Sequence, residues 1–212
     1  SDWYFLSREA CNLQWAKMVK RNFRVPFWAV VFQQLIKLNL LEQKYVNHPA
    51  RVFQGSRDKH GLLSKTSKQM SFLQEEENEA KAWLRKHGWK DGMPFVCLLV
   101  RDSAYLIRDP IHKWTKERSY YHTYRDSDIL TYVQAAEYLA EQGIWVLRMG
   151  KIAEDPIPSQ HSKIIDYAFH SEKNDLLDIW LFANCNFCIS SGAGAGAISE
   201  AYQRPLLFVN SN

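Results

Sequence analysis

Apolar positions recur along this chain with two different periods. Over residues 1 to about 45 the spacing is helical: after Pro26, the residues Trp28, Val31, Phe32, Leu35, Ile36, Leu38 and Leu41 fall on one broad apolar face. This stretch is expected to be α-helical. From Asn47 to Ser71 the apolar content falls and Gly, Ser, Lys and Arg dominate, the composition of an inter-domain connection, so a boundary is expected near residue 70. Ser71 stands three residues before Gln74, a capping-box spacing. Glu75, Glu76 and Glu77 then suit the first turn of a helix, Lys81, Arg85, Lys86 and His87 suit its last, and Gly88 stops it.

Beyond that helix, runs of strand length alternate with helical ones. Pro94 to Val100 is continuously apolar, as expected of a strand covered on both faces. Arg101 to Arg125 is polar and aromatic, and too long for an idle connection in a compact domain, which makes it a candidate functional loop. Ile129 to Leu139 reads as an amphipathic helix opened by Asp126, Ser127 or Asp128 and stopped by Gly143. Ile144 to Met149 is a second strand, Ile164 to Tyr167 a short extra one, Leu176 to Ala183 an apolar helix, Asn186 to Ser190 a strand, and Leu206 to Val209 the last strand. The alternation predicts an α/β fold: a doubly wound, Rossmann-like parallel sheet over residues 71–212, preceded by a helical segment and linker over residues 1–70. In such sheets ligands bind outside the carboxyl ends of the strands. Here those ends carry Arg101-Asp102, Met149-Gly150 and the stretch from Ser190 to Gly196, which are expected to share one rim.

That last stretch, Ser190-Ser191-Gly192-Ala193-Gly194-Ala195-Gly196, links a strand to the first turn of a helix, and Arg204-Pro205 breaks the helix before the final strand. Glycine lets the backbone turn sharply and present N–H groups with no Cβ in the way, so the loop is either a phosphate cradle or a tight turn chosen for close helix–sheet packing. The string also fits a dinucleotide fingerprint with Ala in its last place. That fingerprint belongs to a first βαβ unit with an acid about twenty residues on, whereas this loop follows several βα units and Phe208-Val209-Asn210 offers no acid, so a nicotinamide enzyme is disfavoured.

Composition narrows the picture further. The 212 residues are 46% hydrophobic and 24% charged, with eight Trp, ten Tyr and eleven Phe, which excludes a disordered chain. A net charge of +4 without any long Lys/Arg block suits an anionic ligand more than a nucleic-acid track. Phe27 to Leu41 is the most apolar stretch, but Gln33, Gln34, Lys37 and Asn39 interrupt it, so no membrane span is expected. Of the four cysteines only Cys185 and Cys188 are close. If their stretch is strand they point to opposite faces, as two buried thiols instead of a metal half-site, consistent with a reducing, cytoplasmic setting.

Several ordered motifs carry a family resemblance: Tyr124-Arg125-Asp126-Ser127-Asp128-Ile129, Ala136-Glu137-Tyr138-Leu139, Val146-Leu147-Arg148-Met149-Gly150, Ile164-Ile165-Asp166-Tyr167-Ala168, Asp175-Leu176-Leu177-Asp178-Ile179, Phe182-Ala183-Asn184-Cys185 and Ser190-Ser191-Gly192. Across roughly residues 70 to 210 the chain resembles a group of bacterial glycosyltransferases with a GT-B type nucleotide-sugar domain. Val100-Arg101-Asp102 is similar to the Arg-bearing strand end of fucosyltransferase-like enzymes, where the Arg meets a donor phosphate. The resemblance implies a metal-independent transferase that takes a nucleotide sugar as substrate, needs no cofactor and passes the sugar to a glycan or lipid-linked acceptor in surface-glycan synthesis. Set against full members, the chain has no return helix after Val209, and a C-terminal truncation is expected.

The donor-binding candidates are Arg101, Arg125, Gly150, Ser190, Ser191, Gly192, Gly194 and Glu200, and the catalytic candidates are Asp102, His122 and Asp126. An Arg just past an apolar strand makes a bidentate phosphate contact, or else pairs with Asp102 or Asp109. Glu200, one turn into the helix, accepts from a ribose hydroxyl or merely suits the helix dipole. Asp126-Ser127-Asp128 has the Asp-x-Asp form of a metal site, but at a helix start such residues cap amides, so no metal is expected. His122 and His161 sit in loops and are further candidates for a general base. The rival from another class is a non-catalytic nucleotide- or sugar-binding module, because no catalytic pair is visible.

Overall fold

The computed structural model describes residues 10–38, 40, 65–108 and 123–210. The chain divides into two compact units, Ser1–Ser71 and Phe72–Asn212. In the first, α1 (Leu13–Asn22) opens on Asn12, whose extended backbone lets its Oδ1 accept from the Trp15 N–H at 2.8 Å. Lys20 and Arg21 in its last turn complement the helix dipole. The next helix, α2 (Ala29–Lys37), begins without a side-chain cap. Of its expected apolar face, Leu35 and Ile36 are half-buried, but Trp28, Val31, Phe32 and Leu38 are exposed, as is Val30. Leu41, and the connection up to residue 64, lie outside the described residues.

The second unit begins with α3 (Gln74–Lys86), where the cap differs from expectation. Leu73, not Ser71, is the residue before the helix, and the Glu76 carboxylate reaches back to accept from the Leu73 N–H at 2.8 Å. Half of the box therefore forms, displaced two residues along the chain. Then follow β1 (Phe95–Leu99), α4 (Ala104–Arg108), a 3-10 turn at Ile129–Tyr132 running into α5 (Val133–Glu141), β2 (Trp145–Met149), β3 (Ile164–Ile165), α6 (Asp175–Asn184), β4 (Phe187–Ser190), α7 (Gly196–Ala201) and β5 (Leu206–Phe208). The predicted single helix from Ile129 is thus 3-10 in its first turn, and Asp128 alone opens it, accepting from the Leu130 N–H at 2.8 Å.

All five strands are parallel, in the order β3-β2-β1-β4-β5. This is a Rossmann-like α/β sheet, and its two faces are packed differently. Phe95, Cys97 and Leu99 of β1, with Trp145, Leu147 and Met149 of β2, meet Trp83 and Leu84 of α3 and Leu177, Trp180 and Leu181 of α6. Val96, Leu98 and Val146 point the other way, onto Tyr132 and Ala136 at the start of α5. Period-two alternation inside strands buried at every position feeds both cores at once, which is why these runs, Arg148 apart, show no polar face. Trp180 stacks on Phe95 with centroids 6.2 Å apart. Cys97, Cys185 and Cys188 all enter the first core, which corrects the expectation of opposite faces: Cys185 caps the end of α6 and is not in the strand, so the period-two rule does not link it to Cys188. No described helix is long and apolar enough to cross a membrane.

Candidate functional site

The strand order reverses at β1. From there the chain runs through β2 to β3 on one side, then returns to place β4 and β5 on the other, so the topological switch point, where open α/β sheets form a crevice, lies between the carboxyl ends of β1 and β4. Leu99 of β1 pairs with Ser190 of β4, and the next residues of both strands meet directly. The Ser191 N–H donates to the Leu99 carbonyl at 3.1 Å, and the Ser191 hydroxyl accepts from the Arg101 N–H at 2.8 Å. The Ser127 N–H donates to the Arg101 carbonyl at 2.9 Å, and Arg125 donates through Nη2 to the Gly192 carbonyl at 3.3 Å. Of the donor-binding candidates, Arg101, Arg125, Ser190, Ser191 and Gly192 are therefore brought together at one point.

Within the loop the glycines serve different ends. Gly192 has φ +84°, a left-handed conformation that only glycine takes without strain, and its N–H is turned back onto Ser190 Oγ at 3.2 Å. Gly196 begins α7 where a Cβ would stand 3.4 Å from Ser190 Oγ, so its smallness lets the helix seat on β4. Gly194 meets nothing within 4 Å of its missing Cβ and is not in the left-handed region. The N–H groups of Ala193, Gly194 and Ala195 donate to no acceptor among the described residues, and Gly194 and Ala195 are exposed.

The ion pairs at the rim are not those anticipated. Arg101 Nε lies 3.5 Å from Asp126 Oδ1, not beside Asp102, while Asp109 is outside the described residues. Asp126 also accepts from Ser103 Oγ. The metal reading of Asp126 and Asp128 thus finds one carboxylate paired with Arg101 and the other capping a turn. Asp102 accepts from the Ala104 N–H and the Glu154 N–H, both at 3.0 Å, and faces Arg148 Nη2 at 3.8 Å.

Arg148 is the residue that pattern reading passed over. It occupies the penultimate position of β2, opposite Leu98, and is 1% exposed. Asp166 Oδ1 stands 3.7 Å from its Nη1, and the Phe169 ring lies 5.5 Å from its guanidinium carbon. Burial pushes Asp166 above the ordinary carboxylate range, while the amide of Ile157 and then the Arg148 charge pull it back. Burial likewise lowers the pKa of Arg148, although a guanidinium stays charged. The available signal was a lone charge inside an otherwise apolar strand, one step from its carboxyl end. Beside it, a cavity of about 710 Å³ opens over the carboxyl ends of β1 and β2, lined by Asp102, Asp126, Asp128, Glu154, Asp155 and Arg148 among others. It takes in the catalytic candidates Asp102 and Asp126 and leaves out Arg101, Arg125 and the glycine loop.

The remaining candidates lie elsewhere. Gly150 ends β2 where a Cβ would come 3.3 Å from the Ala168 Cβ, a packing reason for glycine. Burial raises the pKa of Glu200, half-buried in α7, and its carboxylate has no ion-pair partner among the described residues. His161 precedes β3, with its carbonyl accepting from the Ile164 N–H, and so sits at the amino end of the sheet, away from the rim. His122 lies outside the described residues.

Comparison with protein-family models, curated proteins and solved structures finds no match. The rim joins two regions: a point between β1 and β4 where the Arg125 guanidinium meets the glycine loop, and a cavity between β1 and β2 whose charged side chains are five carboxylates and Arg148, with the Arg101–Asp126 pair at their seam.

Proposed function

We propose that residues 72–212 are the nucleotide-sugar-binding half of a glycosyltransferase. The observation that carries this reading is the switch point between β1 and β4, where the Arg101 backbone and the Arg125 guanidinium meet a loop in which three amides donate to no acceptor among the described residues. A guanidinium beside a row of N–H donors suits a diphosphate in charge and in donor type, with Arg101, now paired to Asp126, close by as a second cation. The acidic cavity does not suit phosphate, whereas its carboxylates suit the hydroxyls of a sugar, so the donor is read as lying across the Arg101–Asp126 seam with its phosphates toward β4. Asp102 and Asp126, which line this cavity, are the carboxylates read as facing the reacting sugar. Arg101 and Arg125 would carry the phosphate charge without metal. The acceptor is read as a glycan or lipid-linked glycan, and the setting as cytoplasmic.

A non-catalytic sugar-nucleotide module is the second reading, favoured by one observation. Asp102 is already engaged by two amides and Asp126 by Ser103 and Arg101, which leaves neither carboxylate poised as an unencumbered base.

The test is a pair of measurements on Gly194→Val: melting temperature without ligand, and dissociation constant for UDP-, GDP-, CMP- and TDP-sugars. Position 194 is open and has no left-handed φ, so the fold should keep its melting temperature while donor affinity falls at least about tenfold through steric blockade of the amides. An unchanged dissociation constant would sink the phosphate cradle. Turnover in EDTA with and without acceptor separates transferase from module, and activity restored only by manganese would move Asp126 and Asp128 into a metal site.

A further inference from the structure

The first unit holds a second feature, one that the donor reading does not use. Between Ala10 and Leu41 the chain carries five Lys/Arg and no Asp or Glu. Lys17, Lys20 and Arg24, in and just after α1, are exposed. Directly after them come Phe27 at 91% exposure, Val30 at 45% and Val31 at 51%, with Trp28 and Phe32 also exposed and packed edge to face at 5.8 Å. Cations alone would be an ordinary solvated face. Aromatic and β-branched side chains alone would be an uncovered apolar one. The two together, consecutive in the chain and with no acid between Ala10 and Leu41, are complementary to a surface that is anionic outside and hydrocarbon within. α2 has nine residues and spans about 14 Å at 1.5 Å per residue, against about 30 Å of hydrocarbon, so it can lie in an interface but not cross one.

We propose that the α1–α2 segment docks on an anionic lipid bilayer, with Phe27, Trp28 and Val31 entering the acyl boundary and Lys17, Lys20 and Arg24 on the lipid phosphates. Nucleic acid would use the same cations but has no place for the aliphatic side chains. The proposal is independent of the donor site, since every residue in it lies before residue 72. If the transferase reading holds as well, such docking would bring the chain to a lipid-linked acceptor.

The experiment is flotation of the full chain with vesicles of phosphatidylcholine alone, or of phosphatidylcholine and phosphatidylglycerol in equal parts. Binding should require the anionic lipid and weaken as salt rises. Lys20→Gln with Arg24→Gln should cut partitioning about twenty-five-fold, at roughly fivefold per cation. Phe27→Ser with Val31→Ser should abolish insertion. All four positions are exposed, so the melting temperature of each double variant should match wild type, which separates lost docking from lost fold. Lipid with brominated chains should quench a component of the Trp fluorescence that disappears in Trp28→Phe. No flotation at low salt would overturn the proposal, as would double variants that float like wild type. Binding of duplex DNA that is lost in Lys20→Gln with Arg24→Gln, without any quench by brominated lipid, would overturn it in favour of a polyanion surface.

Discussion

α2 and α6 are nearly equal in length and both strongly apolar, yet they meet opposite fates. α6 begins on Asn174, whose Oδ1 accepts from the Leu177 N–H at 2.9 Å, carries Asp175 and Asp178 in its first turn, and buries seven residues from Leu176 to Ala183. α2 has no side-chain cap and no first-turn acid, and leaves Val30, Val31 and Phe32 in solvent. Hydrophobic content does not decide burial. What decides it is whether a sheet face of matching shape is present, and β1 supplies that face to α6 through Phe95 and Cys97.

The largest effect that would break this contrast is on stability. Trp180, 2% exposed and stacked on Phe95, should cost about 3–5 kcal/mol when truncated to Ala, a large share of the 5–15 kcal/mol typical of a domain. Phe32→Ala, at 42% exposure, should cost less than about 1 kcal/mol even with its edge contact to Trp28. Urea denaturation of both variants gives the comparison. An equal loss from Phe32→Ala would mean that α2 is covered in solution.

A smaller effect separates the helix caps. Asn12 and Asn174 both hold extended backbone and both accept from an N–H three residues on. Asn174→Ala should lower the stability of the whole second unit by about 1 kcal/mol, because α6 is part of its core. Asn12→Ala removes the same kind of bond from a helix that buries only Gln14 and Met18. It should fray α1, seen as faster amide exchange over Leu13–Ala16, without moving the main melting transition.

The same contrast explains how far the residues could be read. β1 and β2 were legible because strands buried along their whole length are apolar at almost every position, and Gly88 and Gly143, with φ +96° and +88°, end helices where glycine is least strained. Cys188 could be placed by the pleat, but Cys185 could not, because the strand begins two residues after it. The strand order is a tertiary fact with no local signature, so the meeting of Arg101 with Ser191 across 90 positions could be expected only as a shared rim. Arg101 pairs with Asp126 and Arg148 with Asp102 and Asp166 because folding chooses among several nearby acids, and the spacing of charges does not. At the amino terminus, spacing foretold a helical apolar face and was silent on whether anything covers it.

The smallest effect is a dependence on pH, and it is traced to a histidine contact in the second unit. Residues 10–38 contain no His, Asp or Glu, so no carboxylate or imidazole there can link folding to protons. In the second unit His170 Nε2 lies 2.9 Å from His87 Nε2, and His170 Nδ1 accepts from the Glu172 N–H at 3.1 Å, which leaves the His170 proton on Nε2, facing His87. His87 in turn donates from Nδ1 to the Trp83 carbonyl at 2.8 Å, so its Nε2 is the acceptor and the neutral pair is fully matched. Burial lowers the pKa of His170 below the ordinary imidazole value, and the nearby His87 and Lys86 add to this while Glu172 opposes it. A base with a depressed pKa in the folded state takes its proton more readily when unfolded. Stability from His170 should therefore be complete above about pH 6.5 and decline as pH falls from there toward its folded pKa. Melting temperatures between about pH 5 and 7.5 should show that slope in wild type and a shallower one in His170→Asn, which keeps a polar side chain but does not titrate. Equal slopes in the two proteins would mean that the histidine contact is not formed in solution.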